Sequence, residues 1–424
     1  MITDSYIEPE VLISRVEGKK IYIWGARHDG YAASLMLSRL GVSITGFIDS
    51  SPSIQNTSCF GYNVFSPEDF FANNSTDDCF ILISSGFYAD EISKICEENS
   101  YQKGANYLVY GELRKFNYQV DISGSCNLKC ISCPRGNFDE HRPVGVMSAK
   151  VYQQVIDKIL REDPYTGIIT LYNWGEPLLN KQLPEIVKIT RDNNLLSAIS
   201  SNLSFSFDFE KVIAAKPTWF RVSNSGWGDN YEKTHTGGNW DLFYNNLFKL
   251  KAYKEKHHPD MIVEFFFHIY NHNRGDYTKI KDLCDELGFT LRHRHAALAP
   301  LDNIAKVYDG LSVSPAAKET QDVQFLKVQD VQVIAQSQVE KSRPCYYEDH
   351  LWINWDLQVA HCMEWYQPGL NLVEKDFLSV TAEELWEARV TSSHCAMCKS
   401  KGIHRTYNVY GDEKLIAEKG SVPV

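Results

Sequence analysis

Three cysteines lie within eight residues in the run Cys126-Asn-Leu-Lys-Cys130-Ile-Ser-Cys133-Pro134-Arg135. Two thiols in so short a run cannot pair without a strained loop, and nothing nearby reads as a disulfide scaffold. Three thiolates converging on one point can hold an iron–sulfur cluster that normally takes four. The missing ligand leaves one iron open, and an open coordination position is where a metal site does chemistry. Zinc is the alternative, but it would be one ligand short, with no histidine at hand before His141. A second group, Cys345, Cys362, Cys395 and Cys398, ends in a Cys-x2-Cys pair. Four thiolates suit either a four-iron cluster with every iron filled or a structural zinc. Cys59, Cys79, Cys96 and Cys284 stand among apolar neighbours and read as small core residues. Cys284 falls in the helical stripe Ile280, Leu283, Cys284, Leu287, which buries it.

These groups need a frame. A chain of 424 residues exceeds one ordinary core, so two or three domains are expected. A hydrophobic content of 43% with 23% charged residues is that of a soluble globular protein. The formal charge is −11 with no Lys/Arg run, which gives a nucleic-acid backbone nothing to bind. No stretch approaches the roughly 18 apolar residues of a membrane span. The first residues lack the basic and apolar regions of a signal peptide, so the cytoplasm is the expected compartment. Cysteines there point to metal rather than disulfides.

Residues 1–112 are expected to form a small Rossmann-like domain. Residues 19–24 read as a strand, Gly25-Ala-Arg-His-Asp-Gly30 as a turn into a helix, and residues 42–48 as a strand ending at Asp49. Arg27 stands where the dinucleotide fingerprint has its middle glycine. The stretch resembles nucleotide- or sugar-nucleotide-binding domains that open some sugar-modifying enzymes; a domain that only packs or dimerises is the other reading. Over residues 113–300 strand and helix alternate six times, with strands at 118–123, 168–172, 195–200, 219–223, 261–270 and 289–294. The fold class is therefore α/β, with a partial, parallel (βα)6 barrel whose chemistry sits on the loops after the strands. Residues 301–342 read as a helical or irregular connector. Residues 343–424 read as a small α+β domain, with a hairpin over 350–361 and a capped helix from Thr381 before Cys395.

In this setting the first cysteine loop, directly after strand one, resembles that of the radical S-adenosylmethionine (radical SAM) superfamily. Strand two ends in Gly175-Glu176-Pro177, similar to the family's Gly-Glu-Pro motif, which implies a seat for the SAM amino group. A carboxylate and backbone carbonyls suit an ammonium, which offers only donors. Asn202, after strand three, is similar to the family's Thr-Asn turn, and Ser223, ending strand four, to a serine on the SAM ribose or carboxylate. The segment Tyr231-Glu-Lys-Thr-His235-Thr-Gly-Gly238 resembles one that carries an arginine to the SAM carboxylate; here His235 stands nearby instead. Ser132 replaces the family's usual aromatic or larger apolar residue beside the third cysteine. Arg-Pro-Cys345, the hairpin, Cys362, the capped helix and Cys395-x2-Cys398 resemble the auxiliary-cluster domain called SPASM or twitch. The resemblance implies a [4Fe-4S] cluster on three cysteines chelated by SAM, an auxiliary [4Fe-4S] cluster on four, oxygen sensitivity, and an electron donor such as flavodoxin or ferredoxin.

Strand five runs into His268-Ile-Tyr270-Asn-His272-Asn273, and strand six carries Arg292, His293, Arg294 and His295. Alternate members should face the barrel mouth, with Tyr270, His268 and His272 as candidate catalytic residues. A solvated rim is the plain alternative. The Val222-Ser-Asn-Ser-Gly-Trp227 turn, the His235-Thr-Gly-Gly238 segment and the His268–Asn273 stretch together resemble radical SAM proteins of sugar and surface-polysaccharide pathways. The expected activity is dehydrogenation or epimerisation of a carbohydrate or nucleotide-activated sugar. A peptide-modifying enzyme of the same superfamily is the second reading, and a non-enzymatic sugar-nucleotide-binding protein with structural zinc the third.

Overall fold

The structure, a computed structural model, describes residues 6–86, 88–137, 143–339, 344–365, 367 and 369–411. His141, Arg343 and the tail 412–424 lie outside the described residues. The chain divides into two compact units. One comprises residues 1–117, 156–169 and 190–196; the other comprises 118–155, 170–189 and 197–424.

The smaller unit holds a six-stranded sheet of β1 (Lys20–Trp24), β2 (Gly46–Ile48), β3 (Ser58–Cys59), β4 (Tyr62–Phe65), β5 (Cys79–Ile83) and β6 (Tyr107–Val109), ordered β3-β4-β2-β1-β5-β6. β4, β2, β1, β5 and β6 run parallel, and β3 joins the edge antiparallel. Taken without β3, this is the Rossmann strand order, with the sequence reversing direction across β1. Ile21, Ile23, Phe80 and Leu82 enter one core and Tyr22, Trp24, Ile81 and Ile83 the other, as strands covered on both faces require. Asp49, at the end of β2, accepts from the Ala26 amide (2.9 Å) and the Ser51 amide (2.8 Å). The acid that the fingerprint assigns to a ribose is thus spent in part on holding its own glycine turn.

Asp163 plays a similar part in this unit. It is fully buried and accepts from the backbone amides of Lys115 (2.9 Å) and Phe116 (3.2 Å). Burial lifts its carboxyl from 3.8 to about 6. Because the folded value is the higher one, its contribution is fully present below about pH 4 and is lost as the pH rises through about 6. Asp163→Asn should flatten that part of the stability–pH curve. Asp163→Ala leaves two amides without an acceptor and should cost about 2–4 kcal/mol. Denaturant unfolding of each variant across this pH range checks both expectations.

The larger unit is built on an eight-stranded sheet. Its strands are β7 (Asn117–Asp121), β8 (Ile168–Thr170), β9 (Leu196–Ser201), β10 (Trp219–Asn224), β11 (Ile262–Ile269), β12 (Thr290–His295), β13 (His350–Asn354) and β14 (Val359–Ala360). The order is β12-β11-β10-β9-β8-β7-β13-β14. Six strands in sequence order make the expected partial (βα)6 barrel, open at β12. β9 to β12 pair in parallel, and β13–β14 is an antiparallel hairpin. Along β10 and β11, Phe220, Val222, Phe265, Phe267 and Ile269 are buried. Arg221, Ser223, Phe266 and His268 alternate with them and are more open, so the pleat sends polar groups to the opposite face. There Arg221 (3.0 Å) and Arg292 (3.2 Å) share the carboxylate of Glu264.

Residues 301–339 contain three helices, Leu301–Tyr308, Pro315–Val323 and Val328–Gln338. Leu301, Ile304, Val331 and Ala335 share a core with Trp352, Trp365, Cys398 and Val409. The expected helix after Thr381 is present with a capping box: Glu384 N donates to Thr381 Oγ1, and Thr381 N to Glu384 Oε2. Among the described residues no helix is long and apolar enough to cross a membrane.

Candidate active site

Three successive strand ends meet at the first cysteine group. β7 ends at Asp121, and Ser123 to Ser125 carry the chain into Cys126. The turn after β8 lies against this stretch: Glu176 N donates to Ser125 O at 2.7 Å. Gly175 is packed so closely that a Cβ there would stand 1.6 Å from Ser123 O. The turn after β9 completes the arrangement, with Asn202 Nδ2 donating to Asn127 Oδ1 (3.0 Å) and lying 3.9 Å from Cys126 Sγ. Lys129 N and Ile131 N donate to Thr236 O (2.8 Å) and Thr234 O (3.2 Å), tying the loop to the segment after β10. Thr320 Oγ1 donates to Ile131 O at 2.8 Å from the other side.

Cys126, Cys130 and Cys133 are partly exposed within this curl. Burial raises all three thiols, Cys126 to about 12, so without metal they are protonated and poorly nucleophilic. Bound metal would reverse this, because a coordinating thiol is deprotonated. Glu176 is buried, with Oε1 accepting from Leu178 N (3.1 Å) and Oε2 from Asn202 N (2.9 Å). Its carboxyl is pushed up to about 7 by burial, against the pull of those amides. A cation placed beside it would draw the value down again. Glu176→Gln can accept from one amide while its NH2 group faces the other. That contact is worth roughly 1.5–3 kcal/mol, so thermal stability should fall, and with it the SAM affinity that the resemblance implies. Unchanged affinity by calorimetry would remove this turn from the binding site that the resemblance implies.

Ser223 Oγ lies 3.2 Å from Ser200 Oγ on the neighbouring strand. His235 is buried, its ring stacked on Tyr231 (4.5 Å) and its Nδ1 bonded to Ser225 Oγ at 2.8 Å. Burial, then His268, lowers His235 to about 3. It is neutral at physiological pH and cannot supply the charge that an arginine would. His268 is likewise held neutral, near 4, by burial and by Arg294 and Arg221. The Tyr270 hydroxyl bonds Ser132 Oγ in the cysteine loop, and burial holds it well above the usual phenol range. His272 stacks on Tyr270 at 5.7 Å and is also lowered by burial. Position 132, where the sequence departs from the radical SAM pattern it resembles, is thus a hydrogen-bond partner for a candidate catalytic residue. Asn273 was not singled out by the sequence, yet it donates to Ser225 O (3.0 Å) and His268 O (2.7 Å), fixing both strand ends.

Cys345, Cys362, Cys395 and Cys398 line one cavity of about 280 Å³ with Tyr347 and Glu364. Cys395 and Cys398 sit on the helix Ser393–Ser400, whose Ser392 cap accepts from Cys395 N at 3.3 Å. Four thiols lining a single cavity are a donor set that suits either a four-iron cluster or a structural zinc. Among the described residues, no three His, Cys, Asp or Glu side chains form a ligand sphere for a single metal ion. A metal at either place is therefore read from the type and spacing of the donors, not from a formed ligand sphere.

The order of strands, the cysteine loop and the glycine turn give the frame for comparison with known proteins. No family model matches the chain. Among solved structures it is similar to BtrN in complex with AdoMet and 2-DOIA, at 15% identity and TM-score 0.39, over 68% of this chain and 87% of that one. It is similar to anSMEcpe with bound AdoMet (13%, TM-score 0.45, 72% and 99%). It is also similar to Streptococcus suis SuiB bound to precursor peptide SuiA (14%, TM-score 0.44, 76% and 83%). A curated relative is the FeMo cofactor biosynthesis protein NifB of Methanocaldococcus infernus, 31% identical over 91 residues. That match spans 20% of this chain and 30% of the relative's length.

Proposed function

We propose that this chain is a radical SAM enzyme that oxidises a secondary alcohol of a carbohydrate or nucleotide-activated sugar. The observation that carries this is the meeting of three strand ends: the cysteine loop after β7, Gly175-Glu176-Pro177 after β8, and Asn202 after β9. Cys126, Cys130 and Cys133 would hold a [4Fe-4S] cluster, and Cys345, Cys362, Cys395 and Cys398 an auxiliary one. When bound, the first cluster and SAM supply a hydrogen-abstracting 5′-deoxyadenosyl radical.

The residues divide the remaining work. Glu176 and the carbonyls of its turn face the SAM ammonium, and Asn202 holds that turn against Cys126. Ser223 offers a hydroxyl to the SAM ribose or carboxylate, while His235, being neutral, positions Ser225 rather than pairing with a charge. Tyr270 is tied through Ser132 to the cysteine loop and borders the reacting carbon. His268, kept neutral, accepts the hydroxyl proton, and His272 steadies the Tyr270 ring. Oxidation of the alcohol to a carbonyl would remove a hydrogen atom, a proton and one electron: His268 would take the proton, and a group held by Cys345, Cys362, Cys395 and Cys398 would supply the electron acceptor.

Oxidation is favoured over epimerisation because Cys284, the barrel cysteine outside the loop, is buried in the helix Tyr277–Leu287. It is poorly placed to return a hydrogen atom. The test is anaerobic purification, iron and sulfide analysis, and release of 5′-deoxyadenosine under reduction, followed by turnover of a sugar-nucleotide panel in deuterated buffer. An oxidised product with no deuterium on the attacked carbon is expected. An isomer carrying solvent deuterium there would establish epimerisation, and zinc without sulfide would remove the enzymatic reading.

A further inference from the structure

We propose that the cavity between the cysteine loop and the β13–β14 hairpin is the seat of a single pyranose ring, free or nucleotide-linked. The proposal deepens the reading above and rests on it. The cavity, about 210 Å³, is walled by the indoles of Trp174 and Trp355 and by the polar groups of Asp121, Asn354, Gln358 and Asn371. A pyranose presents the matching surface: C–H faces that pack on aromatic carbon, and a rim of hydroxyls that donate and accept.

The walls are built rather than incidental. Gly124 N donates to Gly145 O at 2.9 Å, and a Cβ at either glycine would stand 2.3 Å from the Trp355 indole. Trp355 is thereby seated on two residues that leave room for nothing else. Its Nε1 donates to Pro143 O (3.2 Å), and Trp174 Nε1 donates to Met363 O (3.1 Å). Both indoles have their polar N–H committed to protein carbonyls, which leaves ring carbon as the surface they offer. Asn371 Nδ2 donates to Gln358 Oε1 at 2.8 Å, and Asp356 Oδ1 accepts from Gln358 N at 3.2 Å. These bonds fix two amide groups side by side, able to give a donor and an acceptor to vicinal hydroxyls. Gly124 and Gly175, two residues before Cys126 and one before Glu176, border the same cavity, whereas Tyr270 and His268 do not line it; the ring held here is a part of the substrate that the protein grips rather than the part those two residues face. The ionisable groups at the wall are Arg135, two residues after Cys133, and the carboxyls of Asp121 and Asp356.

The test is calorimetric titration of the anaerobic full-length protein carrying its clusters. The probes are D-glucose, N-acetyl-D-glucosamine, their uridine-diphosphate conjugates, and uridine diphosphate alone. At least one sugar-bearing probe should bind, more tightly than uridine diphosphate. Trp355→Ala should weaken that binding roughly tenfold or more, with Trp355→Phe recovering most of it. Asn371→Ala supplies an independent variant should Trp355→Ala lower the melting temperature. Binding by none of the sugars overturns the proposal, as does binding left unchanged by Trp355→Ala and Asn371→Ala alike. The wild-type preparation is assayed in parallel for 5′-deoxyadenosine. Release without sugar binding sinks the seat alone, whereas no release and no sulfide sink the radical SAM reading and leave any Trp355-dependent binding intact.

Discussion

The triple variant Cys126→Ala, Cys130→Ala, Cys133→Ala is expected to release no 5′-deoxyadenosine under any reducing condition. No thiolate then remains at the junction of the β7, β8 and β9 strand ends to hold the cluster proposed there. The loss should be absolute rather than graded, because a cluster held by three protein ligands would have none to spare. The companion variant Cys395→Ala, Cys398→Ala should keep uncoupled SAM cleavage while losing oxidised product. It removes two of the four thiols around the C-terminal cavity and leaves the first loop untouched. Chromatography of the nucleoside products, with iron and sulfide content alongside, separates the two outcomes. Cleavage persisting in the triple variant would falsify the three-thiolate site.

Gly175→Ala should be the most damaging single methyl group in the larger unit. The added carbon would stand 1.6 Å from Ser123 O and 2.7 Å from Ser123 C, both backbone atoms that no rotamer change can move aside. Either the turn after β8 or the approach to Cys126 must shift. Overpacking of this kind usually costs about 1–3 kcal/mol, and here the strain falls on the contact that aligns Glu176 with the cysteine loop. Under the proposed function, the expected result is a folded protein that keeps the iron assigned to the C-terminal cysteines, loses SAM binding, and shows a low-temperature spectrum of the first cluster that SAM no longer alters. Wild-type SAM affinity in this variant would mean that the two turns do not meet in solution as they do here.

The sequence announced the parts of the site that are local. Three thiols in eight residues, a Gly-Glu-Pro turn at a strand end and the Thr381 capping box each lie within a few residues, where spacing alone specifies geometry. The six strands of the barrel were legible because each is followed by an amphipathic helix, and periodicity reports on both. What could not be read is what depends on distant backbone. β13 joins the sheet beside β7 through main-chain hydrogen bonds, for which side chains carry no code. The residues 301–339 held no clear period because their helices are short, yet together they cover one core. β3 and β6, of two and three residues, are too short to leave a pattern. His235 was read as standing where an arginine would face the SAM carboxylate; its burial and its stacking on Tyr231 are what periodicity cannot see. Trp355 passed as part of an apolar hairpin because its seat is made by two glycines more than 200 positions earlier.

The bonds from Lys129 N and Ile131 N to Thr236 O and Thr234 O have a consequence for how the protein is made. They order the middle of the cysteine loop with main-chain contacts that need no iron, so part of the conformational entropy of gathering three thiols is settled during folding of the polypeptide. Insertion of the proposed cluster would then be a late event on a shaped receptor rather than the nucleus of the fold. The iron-free chain should accordingly protect the amides of residues 129 and 131 from hydrogen exchange. It should also take up iron and sulfide after purification without passing through an unfolded state.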